Sequence, residues 1–148
     1  MYTLTELDAL LTEAGADYTL IRQDTPILSA SDAAPYYDVT KAAPTFVLQC
    51  EHGLLCCIAS ANRGRLDLNT MKAKFGFAKL KMADRKKVQQ QTGYTTGSIP
   101  LVGLGLDCIF DDSLLDFDFI YGGTGDELVT LKIRPADVKR LNQITGVL

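Results

Sequence analysis

The sequence predicts an α+β fold, a single domain spanning residues 1–148 in which helices surround a curved, barrel-like mixed β-sheet. Three observations lead to this prediction. A chain of 148 residues can form one domain with a proper core. Six or seven short apolar runs typical of strands are interspersed with helical patterns. Hairpin-type spacings are frequent, which favours a mixed sheet over a doubly wound parallel one.

The N-terminal part begins with a helix at residues 3–14, where Thr3 and Glu6 have capping-box spacing and leucines repeat at helical intervals. Residues 18–22 alternate like a short strand. The following segment, residues 25–38, contains two prolines and is expected to be a loop that holds one short helix.

A β-hairpin is predicted next, because the apolar runs 45–49 and 54–60 are separated by Glu51-His52-Gly53. Two basic helices are then expected at residues 68–75 and 83–91, with a short strand at 79–82 between them. A glycine follows each of these helices, as is common at helix C-termini.

Three further strands are predicted in the C-terminal part, at residues 106–110, 117–121 and 127–133, before a final helix that begins at Pro135. Two glycine-rich stretches, residues 92–103 and 122–125, are expected to be shaped loops, because no regular element tolerates such a composition well.

Composition excludes several classes of function. The chain has no apolar run long enough to cross a bilayer and no basic region at its N-terminus, so no membrane or secretory segment is expected. Its four cysteines lack CxxC spacing and favour buried, reduced thiols and a cytoplasmic location. The only histidine, His52, is expected to be a solvated turn residue, so neither a metal site nor a cofactor is predicted.

Charge is distributed unevenly along the chain. The net charge is −3, yet residues 63–87 contain nine basic and two acidic side chains, which leaves +7 on this segment and −10 on the remainder. Such a basic segment can attract a polyanion locally. The alternative is two solvated helix faces with no ligand. The candidate polyanion-binding residues are Arg63, Arg65, Lys72, Lys74, Lys86 and Lys87.

Two features could carry chemistry. Gly97-Ser98-Ile99-Pro100 could present successive backbone N–H groups to a developing oxyanion, although a plain tight turn would give the same pattern. Lys41 precedes the first hairpin strand in a stretch with few other charges. It either extends its ammonium to solvent or directs it at an anion or carbonyl.

Taken in order, the motifs resemble those of the YbaK/prolyl-tRNA-synthetase editing-domain family. The resemblance covers the chain from about residue 25 to its end. The residues that carry it are Lys41, the stretch GYTTGSIPLVG at 93–103, the pair Gly122-Gly123, and Arg134-Pro135-Ala136-Asp137-Val138.

This resemblance implies a free-standing aminoacyl-tRNA deacylase, a hydrolase that cleaves the ester of mischarged tRNA without a metal. In the family the misattached amino acid is cysteine or alanine on proline tRNA, or another amino acid in related branches. The implied partners are the aminoacylated 3′ end of tRNA and an aminoacyl-tRNA synthetase. The nucleophile would be a water oriented in part by the ribose hydroxyl of the substrate.

The resemblance also implies roles for individual residues. Lys41 would anchor substrate oxygens, and Gly97, Ser98 and Ile99 would form the oxyanion loop. The remaining substrate-binding residues would be Tyr94, Pro100, Gly103, Gly122 and Gly123.

Three departures from the family pattern affect the expected amino-acid specificity. Leu101-Val102 replaces a Pro-Phe pair, Ala42 replaces a Thr or Ser, and Thr130 replaces an acid found in some branches. Two other readings therefore stay open: a module on the same fold that binds tRNA or a protein without hydrolysis, and a hydrolase of small esters or thioesters that ignores RNA.

Overall fold

The computed structural model describes every residue from Met1 to Leu148. Its five α-helices are α1 (Leu4–Glu13), α2 (Ala30–Ala33), α3 (Leu68–Phe75), α4 (Arg85–Thr92) and α5 (Pro135–Leu141). Its eight strands are β1 (Tyr18–Arg22), β2 (Thr45–Cys50), β3 (Gly53–Ile58), β4 (Leu80–Met82), β5 (Asp107–Phe110), β6 (Ile120–Gly123), β7 (Val129–Ile133) and β8 (Gln143–Val147). None of the helices combines the length and the apolarity needed to span a membrane.

The strands form two sheets, which confirms an α+β fold of mixed strand direction but corrects the predicted barrel-like sheet. The order in the larger sheet is β4-β2-β3-β5-β8, and the smaller sheet has the order β1-β7-β6. Neither sheet closes on itself, because each ends in two edge strands. Only the isolated bridges of Ala42 with Tyr121 and of Pro100 with Gly123 bring other segments to β6.

Elements predicted from local signals agree closely with the structure. Thr3 caps α1 through a capping box with Glu6, as its spacing predicted. The hairpin of β2 and β3 pairs antiparallel from Thr45–Ile58 to Cys50–Gly53. Helix α3 ends at Gly76 in the left-handed conformation, which a glycine adopts without steric cost.

Two predictions near the C-terminus are wrong. Residues 117–119 are not a strand, and β6 begins at Ile120 and continues through Gly122-Gly123, which the sequence assigned to a loop. The glycines remain in the strand because β7 supplies backbone partners on one side of β6. Strand β8 was not predicted at all; it pairs in parallel with β5 directly after α5.

The larger sheet is buried on both faces, since alternate residues of β3 belong to different apolar clusters. Cys56 and Ile58 join a cluster that includes α1 and the smaller sheet. Leu55 and Cys57 join a second cluster that packs beneath α3. The basic helix α3 therefore covers one face of the larger sheet, while the smaller sheet lies on the other. All four cysteine side chains are buried and unpaired.

Candidate functional site

A cavity of about 360 Å³ lies between the 97–99 loop, the end of β6, and the segment that leads into β2. Five of the sequence-predicted site residues line it: Gly97, Ser98, Ile99, Gly122 and Gly123. The structure thus brings the two glycine-rich stretches together, although 22 residues or more separate them in the sequence. We call this cavity the cleft.

Close packing of backbone against backbone positions the loop. Gly123 and Pro100 form an isolated parallel bridge, in which the Leu101 N–H donates to the Gly123 carbonyl at 3.0 Å. A Cβ at Gly123 would overlap the carbonyl oxygen of Ile99. Glycine is required here because the 97–101 chain lies directly against the strand.

Two of the three N–H groups in the loop are available to a ligand. The Gly97 and Ile99 N–H groups donate no hydrogen bond within the protein. The Ser98 N–H donates to the Thr95 carbonyl at 3.1 Å and so belongs to a turn. Converging free N–H groups at the edge of a cavity can stabilise an oxyanion. Of the three predicted oxyanion donors, only Gly97 and Ile99 thus have a free N–H group, and their role stays a prediction.

Lys41 ends a 3₁₀ turn, Val39–Lys41, immediately before β2. Its Nζ lies 3.0 Å from Oδ1 of Asp118. That hydrogen bond raises the pKa of Lys41 and lowers the pKa of Asp118. The sequence stretch around Lys41 has few charges, and its partner Asp118 comes from 77 residues along the chain.

Lys41 is not part of the cleft wall, although residues on either side of it in the chain are. Val39 and Ala42 line the cleft, whereas Lys41 does not. The segment is fixed by the smaller sheet, since the Ala43 N–H donates to the Tyr121 carbonyl at 2.8 Å.

Arg63 belongs to a turn that contacts the same segment. Its Nε and Nη2 donate to the two carboxylate oxygens of Asp111 at 2.8 and 2.9 Å. Asp111 is fully buried and also accepts from the backbone of Ser60 and from Ser113. The Arg63 guanidinium and these hydrogen bonds hold the pKa of Asp111 well below its usual range, against the effect of burial.

The Arg63–Asp111 pair fixes the turn Ala61–Arg63, which contacts the chain around Lys41. Asn62 Nδ2 donates to the Thr40 carbonyl at 2.8 Å, and the Ala61 N–H donates to the Ala42 carbonyl at 2.9 Å. Arg63 therefore makes an internal ion pair, and its predicted role in RNA binding stays a prediction.

The other basic residues of the 63–87 segment have no acidic partner. None of them lies within salt-bridge distance of a carboxylate. Arg63 and five basic side chains outside the segment do. Arg65, Lys74 and Lys86 are exposed, and Lys72 and Lys87 are half-buried. We call the unpaired side chains the basic surface: Arg65, Lys72, Lys74, Lys79, Lys81, Arg85, Lys86 and Lys87.

Three residues predicted to bind substrate lie outside the cleft wall. Tyr94 is buried, and its hydroxyl accepts a hydrogen bond from the Tyr2 N–H at 2.8 Å. Pro100 is buried behind the loop, where it bridges to β6. Gly103 lines a different cavity, which α1 borders, and its φ is +90°. These residues shape the loop from behind, and their binding roles stay predictions.

Sequence reasoning singled out Thr130 as a departure from the family pattern but missed several other cleft residues. Gln23 and Thr130 form a buried hydrogen-bonded pair, and Thr45 Oγ1 is buried without a partner. Tyr37 and Tyr121 stack with ring centroids 4.6 Å apart and planes 7° from parallel. The only local signal for a polar group in the cleft was a single threonine in each of two apolar strands. The sequence pattern does not distinguish such a threonine from an ordinary strand residue.

The charge of the cleft is opposite to that of the basic surface. Asp126 and Glu127 are the only charged residues in the cleft wall, and both are exposed at its rim. His52 lies in the β2–β3 turn with a largely exposed side chain, away from the cleft wall. No three His, Cys, Asp or Glu side chains are grouped as metal ligands would be.

Comparison with known proteins matches the part of the chain that forms the cleft. Residues 24–141 match the family model described as the aminoacyl-tRNA editing domain. This range contains all the cleft residues except Gln23. The match confirms the family resemblance that the ordered motifs indicated.

Two solved structures show the same fold. The hypothetical protein APE2540 is 21% identical, with a TM-score of 0.80 over 95% of this chain and 96% of that one. A protein assigned provisionally as a trans-editing enzyme for prolyl tRNA synthetase is 20% identical, with a TM-score of 0.76 over 99% of this chain and 97% of that one.

Proposed function

Because the chain belongs to the aminoacyl-tRNA editing domain family, we propose that it is an aminoacyl-tRNA deacylase acting in trans. The substrate is the ester between a misattached amino acid and the terminal adenosine of a tRNA. The observation that carries the proposal is the pair of free N–H groups, from Gly97 and Ile99, at the wall of a cavity of suitable size.

The reaction is ester hydrolysis. A water oxygen attacks the carbonyl carbon, and the carbonyl oxygen becomes an oxyanion that the Gly97 and Ile99 N–H groups stabilise. The ester C–O bond then breaks, the ribose oxygen takes a proton, and the free amino acid and the intact tRNA are released. An oxyanion donor of this kind is typically worth about 3–4 kcal/mol of barrier.

The substrate supplies part of the proton transfer in this proposal. The cleft wall contains no histidine, cysteine or lysine, and its two carboxylates are exposed at the rim. A vicinal ribose hydroxyl, held beside the ester, can orient the attacking water and relay its proton. Proton transfer through the substrate suits a site made of backbone donors, because these donors stabilise charge without accepting protons.

Lys41 serves as the electrostatic anchor. Its ammonium is paired with Asp118, whose side chain is largely exposed and easily exchanged for another anion. When tRNA binds, a phosphate or carbonyl oxygen of the 3′ end takes the place of the Asp118 carboxylate. The exchange keeps the charge of Lys41 paired throughout.

The charges at the cleft rim suit an aminoacyl group. An amino acid esterified to tRNA retains its α-ammonium, a cation that Asp126 and Glu127 would attract electrostatically. The polyanionic acceptor stem would instead contact the basic surface on α3, β4 and α4. Contacts of this kind give affinity without sequence information. This distribution allows one small domain to hold both ends of a substrate with opposite charges.

A panel of mischarged tRNAs tests the proposal. The purified protein is expected to release the amino acid from at least one of them catalytically, with rates that fall as salt is raised. Release from none of them, with tRNA still bound, would favour the binding-module reading. Salt-insensitive cleavage of small aminoacyl esters at equal rates would favour the small-ester hydrolase reading. A synthetase partner would appear as faster release when the cognate synthetase is added.

A further inference from the structure

The cleft contains a polar group that its apolar surroundings do not explain. Thr45 Oγ1 is the one buried side-chain oxygen or nitrogen in the structure that has no hydrogen-bond partner. Thr45 is the first residue of β2 and lines the cleft together with the oxyanion loop. Buried hydroxyls are rarely left unpaired, because the hydrogen bond that each made to water has to be replaced.

A second polar group lies in the same wall. Thr130, on β7, is the register partner of Gly123, against which the oxyanion loop packs. Its Oγ1 donates to Gln23 Oε1 at 2.8 Å, and Gln23 Nε2 donates to the Glu127 carbonyl at 3.1 Å. Both side chains are buried.

This arrangement fixes which hydrogen-bonding positions are free. Since the Thr130 hydroxyl proton is used, its oxygen lone pairs remain as acceptors. Gln23 Nε2 retains a second proton, and Thr45 Oγ1 can both donate and accept. The wall thus offers hydrogen-bond acceptors and donors, with no charge among them.

From this geometry we infer that the misattached amino acid removed in the cleft carries a side-chain hydroxyl, as serine and threonine do. The inference rests on the proposed deacylase function. The hydroxyl of the bound amino acid would donate a hydrogen bond to Thr130 or Thr45 and would give the unpaired Thr45 Oγ1 a partner. The methyl group of alanine would leave these positions unpaired, and the thiol of cysteine is only a weak donor and acceptor.

Hydrogen bonding, not size, provides the discrimination. A cavity of about 360 Å³ is large enough that it does not exclude one amino acid of this size class by volume. Steric selection between serine and alanine is weak in any case, whereas a site built to bind a hydroxyl strongly rejects an analogue that lacks it. Selection by Thr45 and Thr130 therefore accounts for specificity in a roomy cleft.

The test compares seryl, threonyl, alanyl and cysteinyl esters of one tRNA. We expect kcat/KM for the seryl ester to exceed that for the alanyl ester by about 10²-fold or more. Thr45→Val, which keeps the shape but removes the hydroxyl, should reduce the seryl-to-alanyl ratio about tenfold. Thr130→Val should reduce it as well, while Thr130→Ser should retain it.

The matched control is Thr19→Val, because Thr19 is an exposed strand threonine on β1 outside the cleft. It should leave the ratio unchanged. If the wild type hydrolyses esters without a preference for hydroxyl side chains, or if Thr45→Val leaves the ratio intact, the inference is overturned and the deacylase proposal stands.

Failure of the deacylase proposal can be recognised separately. Seryl and alanyl amides of 3′-amino-3′-deoxyadenosine resist hydrolysis and report recognition alone. If no ester is cleaved, tighter binding of the seryl amide that disappears in Thr45→Val sustains the inference about recognition. Equal binding of the two amides by the wild type overturns it.

Discussion

The cleft and the basic surface are built in opposite ways. The cleft assembles from segments far apart in the sequence, and its proposed working groups are backbone N–H groups, threonines and two rim carboxylates. The basic surface comes from one continuous stretch, and its groups are long, unpaired cationic side chains. Under the proposed function, chemistry and affinity reside in separate parts of the domain, so that mutations should affect one without the other.

Gly123→Ala should have the largest effect, because the new Cβ would push the oxyanion loop off β6. We expect a loss of about 10²–10³-fold in kcat and of about 2 kcal/mol in the free energy of unfolding. Affinity for uncharged tRNA should be retained. Gly97→Ala is the steric control for the unfolding measurement, since nothing lies within 4 Å of its Cβ position and its stability should not change.

Lys41→Ala should lower kcat/KM about 10²-fold, because the transition state would no longer be stabilised by the ammonium. Its melting temperature should match that of the wild type, because the ion pair with Asp118 is exposed to solvent. Asp118→Asn is the paired variant. It frees Lys41 from competition and should lower KM. Wild-type kinetics in Lys41→Ala would show that this side chain has no part in the reaction.

Asp111→Asn tests the assignment of Arg63 to the support of the cleft. Removing a buried, hydrogen-bonded charge should cost about 3 kcal/mol of unfolding free energy. The pKa of Asp111 is depressed in the folded state, so its contribution is complete above about pH 4 and is lost as pH falls through the depressed value. Acid unfolding followed by circular dichroism should therefore be less steep in the variant. An unchanged acid transition would contradict the assignment.

Replacing Lys72, Lys74, Lys86 and Lys87 together with glutamine should have the smallest effect, confined to affinity. We expect KM to rise about tenfold and the salt dependence of binding to decrease by about 0.7–0.9 in slope for each phosphate that is no longer neutralised. The control set carries the same change in charge elsewhere: Arg22, Lys132, Arg134 and Arg140 to glutamine. Equal losses in the two sets would indicate a general charge effect and no dedicated surface.

The sequence predicts the local elements and the basic surface better than it predicts the cleft. The capping box of α1, the β2–β3 hairpin and the glycine-terminated α3 follow from local signals, and the basic surface follows from charge counting. The placement of Gly123 in a strand does not, because β7 supplies the partners that override the usual behaviour of glycine.

The features that the sequence does not predict depend on pairings between residues far apart in the chain. Asp118 reaches Lys41 from 77 positions away, and Thr130 reaches Gln23 from 107. No local pattern in one sequence identifies such partners. The ordered family motifs nevertheless predicted the loop and the glycine pair that form the cleft wall, since these motifs record which distant segments meet.

Single-turnover deacylation with enzyme in excess tests the separation of chemistry from affinity most directly. Measured across enzyme concentrations, it yields the rate at saturation and the concentration giving half of that rate. We predict that Gly123→Ala lowers only the saturating rate and that the quadruple lysine variant raises only the half-saturating concentration. If both quantities change together in both variants, the cleft and the basic surface act as one site, and chemistry and affinity are not separate.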